Sequence, residues 1–284
     1  MSIWTYSDLR EEDFPYGVKA VRVREGTPEG RRLVGLYHEV RCPFCNCELV
    51  NVASEDKRNV TPVPPRWPEQ HEFQSLNIDV CPACGWWKAQ RIAEWINPAE
   101  NCFDLYQGTA ALKNLDVADI EAPLDEIRDY LTARYDQRFE LAPKKFEEVV
   151  ASVFKGLGYD AIVTGHSGDD GIDVILGSGS SRIGVQVKRY KGSIEVEQIR
   201  SLVGALVLDG MTRGIFVTTS RFQSGADSTA ERYLKSGYRV ELYDAQRFYD
   251  ALQIAQRTMY RSKDEINSVG IVEKLPLVRH ILHH

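Results

Sequence analysis

Residues 171–188, with the sequence GIDVILGSGSSRIGVQVK, decide the fold of the second half of this chain. Two runs of alternating apolar residues flank a glycine- and serine-rich centre, which is the pattern of a β-hairpin. With Gly179-Ser180 as a two-residue type II′ turn, Asp173 lies opposite Gln186. Directly opposed side chains share a face, so this register places Asp173, Gln186 and Lys188 together. The other face is apolar and consists of Ile172, Val174, Leu176, Ile183, Val185 and Val187.

Helices and strands alternate on both sides of this hairpin. A helix is predicted over about 143–157, because Pro143 suits a first turn and Gly158 a helix stop. After the hairpin we expect a helix over 195–208, a buried strand over 214–218, a helix over 225–235, a strand over 238–243 and a helix from about 245. This order predicts an α/β sandwich with a mixed sheet.

One helix residue completes the polar group on the hairpin. Apolar residues form a stripe along the helix from Pro143, and at about 100° per residue Glu147 lies at the border of that stripe. Carboxylate and amide oxygens suit Mg²⁺, which takes few protein ligands and keeps several waters. Lys188 is placed to orient a water or to stabilise charge on a phosphorane. The cluster predicts Mg²⁺-assisted phosphodiester hydrolysis, with Asp173 and Gln186 as metal ligands.

The first 110 residues differ in composition, because they hold all six cysteines and all five tryptophans. Cys42-Pro43-Phe44-Cys45 and Cys81-Pro82-Ala83-Cys84 are two C-x-x-C units, and four thiolates complete the shell of a structural Zn²⁺. Asn46 and Gly85 follow the two units, and both residue types accept a left-handed backbone. We therefore predict a small, β-rich zinc ribbon made of short strands, with candidate strands over 33–40 and 88–95.

The ribbon leaves its own role open. Trp86 and Trp87 suit stacking on bases or packing over a small core. Cys47 and Cys102 are expected to lie outside the zinc site. A ribbon of this kind contacts nucleic acid, contacts a protein partner, or only folds, and its sequence favours none of the three.

Four motifs stand in order between about residues 141 and 252: Phe146-Glu147, Gly168-Asp169-Asp170-Gly171-Ile172-Asp173, Gln186-Val187-Lys188-Arg189-Tyr190 and the run from Gly214 to Phe222. Together they resemble the Mrr-type restriction endonuclease family of the PD-(D/E)xK nuclease superfamily. The resemblance implies a restriction-endonuclease-like core that binds Mg²⁺ and cuts DNA, commonly in defence against foreign DNA.

The resemblance also implies a role for each residue of the cluster. By motif position, Asp173 is a metal ligand, Lys188 the catalytic lysine and Glu147 the helix carboxylate. Gln186 stands where the superfamily has an acidic residue, but it resembles the Q-x-K of this branch. Because a neutral amide is a weaker ligand than a carboxylate, a modest affinity for metal is expected.

The charge of the chain limits how it binds nucleic acid. The net charge is −6, from 35 basic and 41 acidic residues, so DNA binding must rest on a local site. Between residues 182 and 221, seven basic residues stand against three acidic ones, a local charge of +4. Arg189 and Lys191 in this segment are expected to contact phosphates. Thr218, Thr219 and Ser220 are expected either to cap the next helix or to contact phosphate.

The sequence divides into a zinc-ribbon-like domain at 1–110, a helical connector at 111–140, a nuclease domain at 141–257 and a tail at 258–284. The connector holds a helix over about 122–135. No secretory signal and no apolar run of roughly 18 residues is visible, which predicts a cytoplasmic protein that does not bind membranes. In that reducing compartment we expect no structural disulfides. Cleavage of both DNA strands by one site per chain favours a homodimer.

Three interpretations of function follow. The first is a Mg²⁺-dependent DNA endonuclease that acts in restriction or anti-phage defence. The second is a non-catalytic DNA- or protein-binding module on a nuclease-like scaffold, which the intact set Asp173, Gln186 and Lys188 argues against. The third is a structure-specific DNA repair nuclease, which comparison of linear, modified and branched DNA would distinguish.

Overall fold

The computed structural model describes residues 3–8, 21–24, 40–61, 70–96, 101–165 and 171–258. These residues form two compact units that divide between Lys113 and Asn114, and each unit has its own β-sheet. None of the helices in these ranges combines the length and the apolar composition that crossing a bilayer requires.

The N-terminal unit is an antiparallel sheet in which β1, β6, β5, β4 and β3 are neighbours in that order, and β2 also pairs with β6. Its strands are β1 (Trp4–Asp8), β2 (Val21–Arg24), β3 (Val50–Thr61), β4 (Gln70–Val80), β5 (Trp87–Ile96) and β6 (Asn101–Leu112). A strand predicted over 88–95 lies within β5 and is confirmed. One predicted over 33–40 lies outside the described residues except for Val40.

The prediction that these strands are short is wrong. β3 and β6 have 12 residues each, and β3 pairs with β4 from Val50–Val80 to Thr61–Gln70. Apolar alternation failed as a signal because the middle of β3 is the charged run Glu55-Asp56-Lys57-Arg58. Main-chain pairing continues through such a run, since the backbone hydrogen bonds do not depend on the side chain.

The C-terminal unit is built on a five-stranded sheet in the order β11-β10-β9-β8-β7. β7, β8 and β9 are antiparallel neighbours, whereas β9, β10 and β11 run parallel. The strands are β7 (Ala161–Val163), β8 (Val174–Leu176), β9 (Ile183–Lys188), β10 (Arg213–Thr218) and β11 (Arg239–Tyr243). The predicted α/β fold with a mixed sheet is therefore confirmed, although β7 was not predicted.

Helices cover both faces of this sheet. They are α1 (Leu124–Ala133), α2 (Pro143–Gly156), α3 (Val196–Leu208), α4 (Ala226–Lys235) and α5 (Ala245–Thr258). Phe146 of α2 meets Phe248 of α5 edge to face, with ring centroids 5.5 Å apart. On the opposite face, α3 and α4 bury a cluster that includes Leu206 and Phe216. The helix predicted over 122–135 is α1, and it packs against α2 and α5 within this unit.

The central hairpin has the predicted register but not the predicted turn. Val174 pairs with Val185 and Leu176 with Ile183, as expected. The two-residue turn is wrong, because residues 177–182 connect the strands and include a 3₁₀ turn at Gly179–Ser181. The serine hydroxyl of Ser181 closes this longer connection by donating to Ser178 O at 3.1 Å.

The predicted apolar face is also wrong at one position. Ile172 packs on the α3 side of the sheet with Leu206 and Phe216, whereas Val174 is fully buried outside that cluster. The alternation fails because β8 begins only at Val174, and Gly171 just before it has a φ of 70°. A left-handed residue turns the chain out of the strand, so Ile172 does not continue the pleat.

Two neighbouring glycines make a hollow that holds Leu206. Gly184 in β9 pairs with Gly214 in β10. A Cβ at Gly184 would lie 2.8 Å from Leu206 Cδ2, and a Cβ at Gly214 would lie 2.6 Å from Leu206 Cδ1. Because Leu206 is fully buried, α3 lies on the sheet at a depth that only this glycine pair permits.

Gly214→Ala should lower the free energy of unfolding by about 1–3 kcal/mol, because it adds a methyl group to a packed core. Chemical denaturation of the full chain measures the effect. Gly204→Ala is the matched control, since Gly204 lies on the exposed side of α3 and an added Cβ there meets no atom within 4 Å. The control should stabilise the protein by about 0.5–1 kcal/mol. Equal midpoints for Gly214→Ala and wild type would contradict this account of the hollow.

Candidate active site and metal centre

Asp173 lies where the ladder between β8 and β9 ends. Its main-chain N–H donates to Val185 O at 2.8 Å, and its Oδ2 accepts the Val187 N–H at 2.6 Å. Thr164, the residue after β7, holds the same residue, because its N–H donates to Asp173 O at 2.9 Å. The carboxylate thus takes the position of a main-chain acceptor and is fixed by the backbone around it.

Glu147 and Asp173 are two half-buried carboxylates whose pKa values are both raised. Burial raises the pKa of Asp173, although the hydrogen bond from Val187 acts in the opposite sense. Burial also raises the pKa of Glu147, and the charge of Asp173 raises it further. A cation bound beside these carboxylates would relieve both effects, since an opposite charge favours the ionised form.

Gln186 adds a buried oxygen that no described residue satisfies. Its side chain lies beside Gly171, because a Cβ at that glycine would lie 3.3 Å from Gln186 Nε2. Gln186 Oε1 is buried and has no hydrogen-bond partner among the described residues. A buried acceptor without a partner is unfavourable, so this oxygen fits a ligand such as a hard cation.

Lys188 follows two residues later and is exposed at the end of β9. Side chains two apart in a strand share a face, so Lys188 lies on the side of β9 that carries Gln186. Its main chain pairs with Thr218 of the neighbouring strand β10. Glu147 is thus placed where it feels the charge of Asp173. Gln186 lies beside Gly171, just before Asp173, and Lys188 is in the same strand as Gln186.

Residues 189–193, here called the basic loop, follow β9 directly. Thr219 Oγ1 accepts the Tyr190 N–H at 2.9 Å and donates to Tyr190 O at 3.0 Å. Ser220 Oγ donates to Gly192 O. The capping role expected for Thr218–Ser220 is wrong, because α4 begins only at Ala226. The hydroxyls of Thr219 and Ser220 hold main-chain groups of the basic loop instead.

The two basic residues expected to bind DNA differ in their surroundings. Arg189 is half-buried, and its Nη1 donates to Phe139 O in the 3₁₀ turn at Tyr135–Phe139. Lys191 is exposed, with its Nζ 3.7 Å from Glu140 Oε1. Arg189 therefore joins the basic loop to a second segment, whereas Lys191 faces solvent beside a carboxylate.

Comparison with known proteins gives matches within the C-terminal unit. Residues 139–252 match the Mrr catalytic family, which is described as restriction endonuclease. Over 121 residues the chain is 31% identical to a protein of Escherichia coli (strain K12) described as Type IV methyl-directed restriction enzyme EcoKMrr. Residues 139–252, here called the Mrr-type domain after this match, are thus similar to Mrr-type restriction endonucleases.

The Mrr-type match is confined to part of each protein. It covers 39% of this chain and 40% of the Escherichia coli relative, so the chain spans well under half of that relative's length. A solved structure of the MspJI restriction endonuclease in complex with a 27-mer oligonucleotide is 14% identical, covering 94% of this chain and 73% of that chain with a TM-score of 0.34. Because that TM-score is low, we assign the fold of the Mrr-type domain from its sheet topology and from the family match.

All four predicted catalytic residues and the basic loop lie within the Mrr-type domain. Asp169 and Asp170 of the second motif lie outside the described residues. Sequence reasoning missed the connection of Thr219 to Tyr190 and the position of Glu140. No local signal marks such contacts, since residues 140, 190 and 219 are far apart in the chain.

The four cysteines of the N-terminal unit converge as predicted. Their Sγ atoms all lie within 4.8 Å of one another, and pairs such as Cys45–Cys81 and Cys42–Cys84 are 3.3 and 3.5 Å apart. Four ligands about 2.3 Å from a central ion would be about 3.8 Å from each other, so the tetrad fits a tetrahedral metal. Hydrogen bonds from the thiols of Cys45, Cys81 and Cys84 lower the pKa of Cys42.

The two C-x-x-C units have the same backbone. Asn46 N–H donates to Cys42 O at 2.9 Å, and Gly85 N–H donates to Cys81 O at 3.0 Å. Asn46 and Gly85 have φ values of 59° and 76°, which confirms the predicted left-handed positions. Cys47 is buried but is not part of the tetrad. The side chain of Cys102 is not among those that the structure describes.

The tryptophans beside the tetrad pack rather than face solvent. Trp86 and Trp87 are both buried, so stacking of their rings on bases is excluded in this conformation. Trp86 Nε1 donates to Ala110 O at 3.0 Å, and Trp4 Nε1 donates to Cys84 O at 2.7 Å. The indoles thus support the second C-x-x-C unit. None of the five described cysteine side chains is in a disulfide.

Asp173→Asn should raise the melting temperature at neutral pH when no divalent cation is present. A carboxyl whose pKa is raised by folding destabilises the fold while it is ionised, and that effect disappears as the pH falls toward about 4. Asn removes the charge and keeps an acceptor for Val187 N–H, whereas Asp173→Ala removes both and should melt below Asp173→Asn. Melting curves from neutral to acidic pH measure this. A lower melting temperature for Asp173→Asn at neutral pH would contradict the assignment.

Proposed function

We propose that this chain is a Mg²⁺-dependent DNA endonuclease that acts in restriction or anti-phage defence. One observation carries the proposal. In an Mrr-type domain, the ladder-ending carboxylate Asp173 stands beside Glu147, next to a strand that offers the unpartnered Gln186 oxygen and the exposed Lys188. That set supplies metal ligands and a proton-handling cation for phosphodiester hydrolysis.

Each residue of the proposed site has its own task. Asp173 and Gln186 would hold Mg²⁺, with the carboxylate fixed by Val187 N–H and the amide oxygen without a donor among the described residues. Glu147 would add negative charge and accept a hydrogen bond from metal-bound or attacking water. When bound, Mg²⁺ polarises the phosphate and lowers the pKa of water. Lys188 would orient that water and stabilise the charge that develops on the phosphoryl oxygens.

The proposed DNA contact lies beside this site. Lys191 would bind a phosphate, and Arg189 would add positive charge while its Nη1 stays on Phe139 O. Since one chain offers one such site, we propose that two chains act together on a duplex. We also propose that the chain consists of a zinc-ribbon-like domain at 1–110, a connector at 111–140 and a nuclease domain at 141–257. We propose that it acts in the cytoplasm.

The central experiment incubates the full chain with supercoiled plasmid and Mg²⁺, Mn²⁺ or no added metal. Methylated and unmethylated plasmids are compared, because the relative from Escherichia coli is described as methyl-directed. Branched DNA is the third substrate. Metal-dependent nicking or linearisation of plasmid supports the proposal, and exclusive cleavage of branched DNA would favour a repair nuclease. DNA binding without cleavage of any substrate would favour a non-catalytic module.

Lys188→Ala should reduce the cleavage rate by about a hundredfold or more, the usual effect of removing one stabilising group from a transition state. The protein should stay folded, because Lys188 is exposed. Lys235→Ala, an exposed lysine in the last turn of α4, is the matched control and should cleave like wild type. Gln186→Glu should retain cleavage and need less Mg²⁺, because it adds charge at a ligand position. Wild-type rates in folded Lys188→Ala would remove Lys188 from the mechanism.

We further propose that Cys42, Cys45, Cys81 and Cys84 hold a structural Zn²⁺. Four thiolates leave no open coordination position, so the ion would stabilise the unit rather than act on substrate. The burial of all four cysteines and the matching backbone of the two C-x-x-C units support this role. The unit would then serve to contact DNA or a protein partner while the Mrr-type domain carries out the chemistry.

Purified protein should contain about one zinc per chain, the number that a single four-thiolate site holds. Cys42→Ser should lose the metal and lower the melting temperature of the N-terminal unit, because metal binding contributes to its folding. Cys47→Ser is the matched control, since Cys47 is buried nearby but outside the tetrad. Elemental analysis and melting curves measure both effects. Equal zinc in Cys42→Ser and Cys47→Ser would show that the tetrad is not the binding site.

A further inference from the structure

The basic loop presents an aromatic ring and a cation directly after the strand that ends with Lys188. The ring belongs to Tyr190, which is 48% exposed. The cation belongs to Lys191, whose side chain is 73% exposed. An exposed aromatic residue next to a basic one is the combination that proteins use to hold a nucleic-acid strand.

The loop is fixed before any ligand arrives. Thr219 Oγ1 engages both the N–H and the carbonyl of Tyr190, and Thr219 is fully buried. Ser220 holds the Gly192 carbonyl, and Arg221 O accepts the N–H of Ile194 at 2.8 Å. Since the backbone of Tyr190 is bound on both sides, little entropy is lost when its side chain meets a partner.

Gly192 provides the space in which the Tyr190 ring lies. A Cβ at Gly192 would lie 2.7 Å from Tyr190 Cε1 and 3.1 Å from its Cζ. The ring therefore lies directly over the glycine backbone, and any larger residue would displace it. Thr219 and Gly192 together determine where an exposed aromatic ring stands relative to Lys188.

Lys191 is neutralised in the free protein by a weak partner. Its Nζ lies 3.7 Å from Glu140 Oε1, and both side chains are more than half exposed. An ion pair between exposed groups is worth little, so a DNA phosphate can replace the carboxylate. Glu140 would then lower the affinity for DNA, because its charge repels the phosphate that Lys191 attracts.

We propose that the basic loop is a preformed DNA-strand contact in which Tyr190 packs on a nucleoside and Lys191 exchanges Glu140 for a phosphate. Tyr190 and Lys191 bind the strand, whereas Thr219 and Gly192 are positioning residues. The proposal rests on the proposed nuclease function, and it adds the residues that set the strand beside Lys188.

The test measures binding of the full chain to labelled duplex and single-stranded DNA of one sequence by fluorescence anisotropy, at low salt and without Mg²⁺. Tyr190→Ala should weaken binding by about tenfold, the scale of one lost aromatic–base contact. Tyr190→Phe should retain most of the affinity, because the ring makes the contact. Gly192→Ala should weaken binding like Tyr190→Ala, while Thr219→Ser should bind better than Thr219→Val because it keeps the hydroxyl.

Glu140→Gln should change the affinity for DNA in the opposite direction. It should tighten binding by about two- to fivefold, the upper range for an exposed charge pair. Glu231→Gln is the matched control, since Glu231 is an exposed carboxylate on α4 and the change in net charge is the same. A larger gain for Glu140→Gln than for Glu231→Gln supports the exchange, and equal gains overturn it.

The outcomes separate this inference from the function on which it rests. If wild type cleaves plasmid but folded Tyr190→Ala binds both DNAs like wild type, the strand contact is wrong and the nuclease function stands. If wild type neither binds nor cleaves DNA, both proposals fail. A loss on either DNA supports the contact, and the DNA with the larger loss shows whether Tyr190 meets a paired or an unpaired strand.

Discussion

The N–H of Val187 in β9 takes a side-chain acceptor instead of a main-chain one, because Asp173 places its carboxylate at the end of the β8 ladder. A carboxylate held by a backbone donor has one orientation, and its other oxygen remains for a ligand. The same contact lies just before β8 begins at Val174, and Gly171 and Ile172, which precede it, turn toward α3. Gly171 then leaves the space in which the Gln186 amide lies. The proposed metal ligands therefore depend on one interruption of the sheet.

The parallel half of the sheet organises the residues that would meet the DNA. β9 and β10 end side by side, since Lys188 pairs with Thr218, and the segments that follow stay together through Thr219 and Ser220. The loops after parallel strands are a common place for functional residues, because the sheet holds them and they need not form the core. Here the hydroxyls of one loop fix the backbone of the other. The exposed side chains of the basic loop are consequently presented on a rigid support.

The N-terminal unit contains the same turn geometry twice. Each C-x-x-C unit closes a turn in which the residue after the second cysteine donates to the carbonyl of the first. Left-handed residues at Asn46 and Gly85 make that donation possible without strain. The two turns are separated by the β3–β4 hairpin, so the long strands bring together cysteines that are 36 and 42 residues apart. A bound ion would thus link the two ends of a hairpin.

The sequence by itself determined the mixed α/β sheet, the register of the central hairpin, the two left-handed positions after the cysteines and the convergence of the tetrad. These follow from patterns within a few residues, such as alternation in strands, C-x-x-C spacing and the tolerance of Asn and Gly for positive φ. Only the tertiary structure decided that Ile172 lies on the α3 side, that Thr219 holds Tyr190, and that Glu140 stands beside Lys191. It also decided that β3 to β6 are long, because their pairing continues through charged residues. The physical reason is that such features depend on contacts between distant segments, where a hydrogen bond or a close approach overrides the preference of the local chain.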